Sequence, residues 1–210
     1  MENKKAVATT DVKDVAVVVP EQKAVAPVQQ NFNNAFSMAE LLKTAGQLQI
    51  DKEQRAILQA PLTVDEIEIR PDGLIYLPWV EYQSRLDKAF GTAWSMVPNG
   101  MPKYDAASKQ IMWGFYLVVH GLLVDFAIGG QEYREAGGLT YSDAIEGCKS
   151  NALMRLCKRL SIGLDMWRPS FVKQWKENYA ESYQGRDWRG SPRTLWRKKD
   201  LKATAAKETK

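Results

Sequence analysis

The sequence is short of the groups with which most enzymes work. Its 210 residues include one histidine, His120, and two cysteines, Cys148 and Cys157. The cysteines fall nine positions apart in one helical pattern. At about 100° per residue they project to opposite faces, which argues against a mutual disulfide or a shared metal. No Cys/His spacing suits zinc, and a reducing compartment fits. His120 sits in a strand pattern and reads as a hydrogen-bonded sheet histidine rather than a catalytic one. Long apolar runs are missing too: Phe115 to Val119 is broken by His120 and Gly121, far short of the roughly 18 residues of a membrane span. The first thirty residues lack arginine and carry Glu2, Asp11, Asp14 and Glu21. Mitochondrial presequences are Arg-rich and acid-poor, so a cytoplasmic, nucleoid-associated location is expected. Gly147-Cys148-Lys149-Ser150 resembles the end of a phosphate-binding loop. It lacks the glycine before the lysine, however, and lies inside a helical pattern, so ATP is not expected. The acids are dispersed, without the clustering of a two-metal site. No cofactor is expected, and the chain reads as a non-enzyme.

What the sequence does hold is tryptophan, seven of them, and an uneven charge. Residues 1–148 carry a net −6 and residues 149–210 a net +10, which together give the +4 of the whole chain. A basic last third on an acidic body suggests a polyanionic partner, with a solubilising tail as the plain alternative.

Three regions follow from composition and periodicity. Residues 1–36 read as a disordered arm of Ala, Val, Lys and Gln with scattered proline. Residues 37–180 read as one α+β domain, and residues 181–210 as a basic, aromatic tail, disordered when free. Within the domain, Ser37 with Glu40 and Asp51 with Gln54 have capping-box spacing. Ile67–Arg70 and Leu74–Leu77 alternate around Pro71-Asp72-Gly73 as a hairpin does. Pro78 opens a helix to Phe90, closed by Gly91. Strands are expected at Ala93–Val97, Ile111–His120 and Leu122–Tyr133, with a polar loop from Pro98 to Gln110. After Gly138 the period becomes 3.6, and Ser142 to Ile162 reads as one long helix with Ile145, Cys148, Ala152, Leu156 and Leu160 on its apolar stripe. The fold class is a small antiparallel β-meander packed by that helix, preceded by a hairpin and further helices. A short open meander leaves backbone edges, so a homo-oligomer joined partly through them is expected.

Two features can bind a polyanion. Asn151, Arg155 and Lys158 fall at i, i+4 and i+7, with Arg159 on the border of the strip. They can contact strand phosphates or form an ordinary solvated face. Lys149 projects near the apolar stripe and must snorkel, pair with an acid or reach into a groove. Downstream, Phe171, Lys173, Trp175, Lys176, Trp188, Trp196 and Arg197 interleave aromatics with cations, the composition of a single-strand platform. For Phe171 and Trp175, packing into the core is an equal alternative.

The stretch Ile67 to Pro78 resembles the mitochondrial genome maintenance family, as do Leu86-Asp87-Lys88-Ala89-Phe90-Gly91 and the following Trp94. Glu146 to Arg155 is closer still, and Trp167-Arg168-Pro169 with Phe171 continues the match. The resemblance covers roughly residues 55–178 and omits the expected mitochondrial address, which suggests a bacterial, phage or mobile-element relative. That family lies within the Rad fifty-two superfamily of annealing proteins. The resemblance implies ring-forming protomers, single-stranded DNA in a basic groove, and ATP-independent annealing in homologous recombination and repair. Partners would be single strands, annealed intermediates, other copies of the chain and a host single-strand-binding protein, with no membrane. A general nucleic-acid-binding or end-protecting protein of the same fold is the alternative. The groove positions correspond to Arg155 and Lys158 with Lys149 upstream, and to Arg85 or Lys88 on the earlier helix.

Overall fold

The computed structural model describes residues 38–134, 137–186 and 190–200. The expected N-terminal arm and the Ser37 half of the first capping box lie outside the described residues. Two short helices come first, α1 (Met38–Lys43) and α2 (Lys52–Leu58). The second begins with the expected box: the Asp51 side chain accepts from the Gln54 backbone N–H, and the Gln54 side chain accepts from that of Asp51. Strands β1 (Glu68–Ile69) and β2 (Ile75–Tyr76) form the small hairpin around Pro71-Asp72-Gly73. Helix α3 (Trp79–Phe90) starts after Pro78, which caps it rather than occupying its first turn, and ends at Gly91.

The three-stranded antiparallel meander follows: β3 (Trp94–Asp105), β4 (Gln110–Val119) and β5 (Leu122–Glu132), in that order. Strand β3 overruns the expected loop by eight residues, from Pro98 to Asp105. Pro98 and Pro102 are tolerated because β3 is an edge strand, where a missing N–H faces away from its neighbour. The register with β4 shifts between Asn99 and Lys103. His120 is not in a strand. It forms the β4–β5 turn with Gly121, at φ of 51° and 75°, the left-handed pair that a two-residue hairpin with right-handed twist requires. Its ring meets Phe90 edge-on, at 5.9 Å between centroids.

One face of the meander is covered. Ile111, Phe115, Leu117 and Val119 alternate inward from β4 and are buried. They meet Tyr82, Leu86 and Phe90 of α3 and the long helix α4 (Tyr141–Cys157). Each such side chain fully buried contributes about 1.5–3 kcal/mol of transfer free energy. Both cysteines of α4 are buried and free, Cys148 against Ile111 and Cys157 in the main core. Burial alone pushes the Cys157 thiol up to about 12. On the opposite face Met112, Phe126 and Ile128 stay exposed.

Helix α4 approaches β5 closely at Gly129. A Cβ on Gly129 would stand 1.8 Å from the Cys148 carbonyl oxygen, so only glycine permits this approach. The neighbouring edge of β5 is then met by α4 side chains. Asn151 Nδ2 donates to the Gly130 carbonyl at 2.8 Å, and Arg155 Nη1 to the Ile128 carbonyl at 2.6 Å. Those carbonyls are two residues apart and so point to one side of the strand. With prolines on β3 and these donors on β5, both edges resist another strand.

Helix α4 ends earlier than its sequence period suggests. The last turn tightens into a 3-10 turn over Lys158–Leu160, closed by Ser161 at φ 64°; such tightening is common at helix ends. A second 3-10 turn, Leu164–Trp167, leads into α5 (Pro169–Tyr179). The chain then forms a second hairpin, β6 (Ala180–Arg186) with β7 (Pro192–Lys198). Within the segment expected as a disordered tail, residues 181–186 and 192–198 form the two strands of this hairpin. It docks on the earlier one: the Trp196 backbone N–H donates to the Pro71 carbonyl at 3.0 Å, and Lys198 Nζ to that of Ile67. Trp196 packs on the small core of Ile67, Ile75, Trp175 and Ala180. Among the described residues no helix is long and apolar enough to cross a membrane.

Candidate nucleic-acid interface

The cations named from sequence separate into three settings. Arg85 is structural. It is 5% exposed, donates to the carbonyls of Leu58, Ala60 and Pro61, and pairs with Glu66 at 3.0 Å. A guanidinium so occupied cannot also meet a phosphate, which corrects its assignment as a groove residue. Burial pushes the Glu66 carboxyl up, but the Thr63 N–H and Arg85 outweigh it and hold the group below its ordinary value of 4.5.

Lys88 and Lys149 border a second setting, two shallow hollows that share Trp79 and Gln83, the first on α3 itself and the second between α3, α4 and β3. Lys149 takes one of its three expected options and pairs with Glu146, one helical turn earlier, at 3.0 Å. Trp79 stands half-exposed there.

The third setting gathers the end of α4, the turn after it, α5 and the second hairpin. Asn151 is committed to Gly130, as described above. Arg155 is exposed and keeps the rest of its fork beyond the Ile128 contact. Lys158 follows one turn after Arg155, at the point where the helix tightens into its 3-10 turn with its own backbone still right-handed helical. Its Nζ stands 3.4 Å from the centroid of the Trp167 ring. Burial, and secondarily the charge of Arg155, hold its ammonium below the usual lysine range. Two cations this close favour a shared anion. Arg159 is exposed on the same turn.

Trp167 forms one wall of an apolar cleft of about 920 Å³, lined below by Leu77, Tyr82, Met154 and Met166. Trp196 lines the same cleft, with Lys176 Nζ 3.9 Å from its ring centroid. Lys173 and Lys176 line it from α5, and Lys173 lies 3.9 Å from Glu177. Of the ambiguous aromatics, Trp175 is core, at 4% exposure, and Phe171 packs partly against the same cluster. Trp167 and Trp196 stand at the cleft although sequence reasoning assigned neither to the groove. Trp167 had a signal in its place between two basic segments. Trp196 is visible in the sequence only as part of a basic, aromatic composition, because its neighbours in space come from residues 67–77.

The arrangement has no evident covalent chemistry. Cations stacked on indoles around an apolar cleft suit a flat, anionic chain, since stacking and phosphate contacts are what a single nucleic-acid strand offers.

Comparison with known proteins agrees with the sequence resemblance. The family described as Mgm101p, Mitochondrial genome maintenance MGM101, matches residues 38–207. The chain is 42% identical over 153 residues to the mitochondrial genome maintenance protein mgm101 of Schizosaccharomyces pombe, covering 72% of this chain and 55% of that one. To its Candida albicans counterpart it is 40% identical over 153 residues, 72% and 54% respectively. To the Dictyostelium discoideum homolog it is 38% identical over 156 residues, 73% and 41%. The chain thus spans about half the length of the curated relatives it matches. These relatives are eukaryotic and are named for mitochondrial genome maintenance, which overturns the cytoplasmic location expected from the arginine-free start. With residues 38–207 matched, the chain belongs to the mitochondrial genome maintenance family MGM101.

Proposed function

We propose that the chain binds single-stranded DNA and anneals complementary strands without ATP, as a homo-oligomer, in recombination and repair of the mitochondrial genome. The observation that carries this reading is the paired setting of Lys158 on Trp167 and Lys176 on Trp196 around one cleft. Family membership supports the genomic context. The protein acts by binding, and no residue is assigned a catalytic role. Phosphate contacts fall to Arg155, Lys158, Lys173 and Lys176, with Arg159 beside them. Lys88 and Lys149 serve a second surface around Trp79. Because both sheet edges are obstructed, protomers join through helices and hairpins. A ring is the closed form such head-to-tail contacts give when the rotation closes.

The test is fluorescence-monitored pairing of complementary oligonucleotides without nucleotide triphosphate, alongside light scattering. Accelerated pairing by an oligomer is expected. Binding without acceleration would leave a protein that only covers or protects strands. A 23.8 kDa monomer with and without DNA would refute the assembly.

A further inference from the structure

We propose that Trp167 and Trp196 are positioning residues for strand binding, each indole seating one lysine, Lys158 and Lys176, so that its charge is fixed in place but not cancelled. This rests on the single-strand reading and adds how the protein holds its phosphate-binding charges before a strand arrives.

A carboxylate is one way to hold a surface cation. On the same stretch of chain Lys173 stands 3.9 Å from Glu177, and Arg168 lies 3.7 Å from Asp165. Such a pair orders the side chain, but its two charges cancel and the carboxylate repels an approaching phosphate. Glu177 lines the cleft together with Lys173, so that pair adds little net charge to the rim. Lys158 and Lys176 are held in another way. Their Nζ atoms stand 3.4 and 3.9 Å from the ring centroids of Trp167 and Trp196. Among the described residues neither makes an ion pair. The face of an indole attracts an ammonium through its quadrupole and carries no net charge. The seated lysine therefore keeps its full charge, and its N–H groups turned away from the ring remain free to donate.

Both seats have their own structural support. Trp167 is 56% exposed, so burial of its own surface does not account for its place, whereas contact with the Lys158 ammonium does. The second seat joins distant parts of the chain: Lys176 on α5, Trp196 on β7 and the turn at Gly73. A Cβ on Gly73 would stand 3.0 Å from the Lys176 nitrogen and 2.8 Å from the Trp196 ring, so a side chain there would compete for the seat. A free lysine loses rotamer freedom when it takes a phosphate. A seated one has lost it on folding, and the strand meets less of that cost. Annealing gives a further reason. The bases of a bound strand must stay open to the complementary strand, and an indole occupied by an ammonium group does not compete for them.

The experiment is a double-mutant cycle on strand binding. Anisotropy of a labelled oligothymidine is titrated over a range of salt with the wild-type chain, Trp167→Ala, Lys158→Ala and the double variant, with circular dichroism melts as the folding control. Trp167→Ala should weaken binding roughly two- to tenfold per contacting protomer, the scale of ordering one long side chain. Its salt slope should stay as in the wild type because Lys158 still neutralises a phosphate, while Lys158→Ala should make the slope shallower by about 0.7. In the Lys158→Ala background, removing Trp167 should change nothing further. Trp167→Phe should keep part of the affinity and Trp167→Leu should behave as the alanine variant, since only a ring offers the quadrupole. Trp196 also packs on the small core, so its seat is tested by Trp196→Phe against Trp196→Leu with and without Lys176→Ala, and the same pattern is expected. Equal loss from Trp167→Ala with and without Lys158 would mean that the indole meets the strand itself, and would overturn the proposal. Full affinity in Trp167→Ala, or leucine serving as well as phenylalanine, would also overturn it. In each of these cases the proposed function stands, whereas a wild-type chain that bound no oligonucleotide would remove the function and the inference together.

Discussion

Replacing Gly129 by alanine should be among the most damaging single-methyl changes available to this fold. The added Cβ would stand 1.8 Å from the Cys148 carbonyl oxygen and 2.9 Å from the Ala152 backbone nitrogen. Both are backbone atoms of α4, so no side chain can swing aside. To restore even 3.0 Å, helix and strand must part by at least 1.2 Å locally, the difference between 3.0 and 1.8. A radial gap of 0.5–1 Å already forfeits a quarter to a half of the dispersion well between packed atoms. Here Cys148, Ala144 and Ile111 would forfeit it together. The Asn151–Gly130 and Arg155–Ile128 hydrogen bonds, at 2.8 and 2.6 Å, would stretch beyond useful range. Overpacking costs about 1–3 kcal/mol, and the weakened packing and hydrogen bonds put this case near about 3 kcal/mol. For a chain of this size that is a fall in melting temperature of about 6–12 °C. Gly130→Ala is the control: its Cβ would be tight only against the end of the flexible Gln110 side chain, at 3.3 Å, with Ile111 and Met112 at ordinary contact distance, and should change stability little. Thermal and urea unfolding by circular dichroism decide it. A Gly129→Ala protein within about 0.5 kcal/mol of wild type would mean that α4 does not sit on β5 as described.

Further outcomes are expected. Glu66→Gln should cost about 1–3 kcal/mol, less than a fully orphaned buried charge, because Arg85 keeps its three carbonyl partners. Since the folded Glu66 value lies below 4.5, its contribution is present above about pH 4.5 and is lost as pH falls through the lower folded value. The stability of Glu66→Gln should therefore depend less steeply on pH in that acid window, and an unchanged acid limb in urea titrations would refute this. Deleting residues 181–210 should lower the melting temperature and raise binding of a hydrophobic dye, because Trp196 covers Ile67, Ile75 and Trp175; an unchanged melt would make the segment dispensable. Arg155→Ala/Lys158→Ala should make the salt dependence of single-strand binding shallower, by about 0.7 in log–log slope for each phosphate no longer neutralised. Its stability cost should stay near about 1 kcal/mol, from the Ile128 carbonyl left without its donor.

Elements defined by local chemistry were legible in the sequence. The Asp51–Gln54 box, the Pro71–Gly73 turn and the long helical period from residue 142 each announce themselves within a few positions. Elements defined by distant partners were not. Pro98, Gly100 and Pro102 read as loop, and β3 continues through them only because β4 supplies a ladder on one side. The hairpin of β6 and β7 depends on Pro71 and Ile67, more than a hundred residues earlier. The site divides in the same way. Composition alone points to Lys173 and Lys176. Arg85 has the pattern of a surface cation until the carbonyls of residues 58–61 close over it. The placing of Lys158 over Trp167 depends on the turns that follow α4, which bring residue 167 back to it.

The treatment of the sheet edges bears on concentration. If, as proposed, many copies gather on one strand, their β-sheets come close together, the circumstance in which exposed strands recruit one another into fibres. Pro98 and Pro102 deny a newcomer two donors on one side, and Asn151 and Arg155 occupy two acceptors on the other. On the proposed reading, crowding on DNA would then proceed without polymerisation of the fold itself, because the two α4 side chains occupy the acceptors a further strand would need.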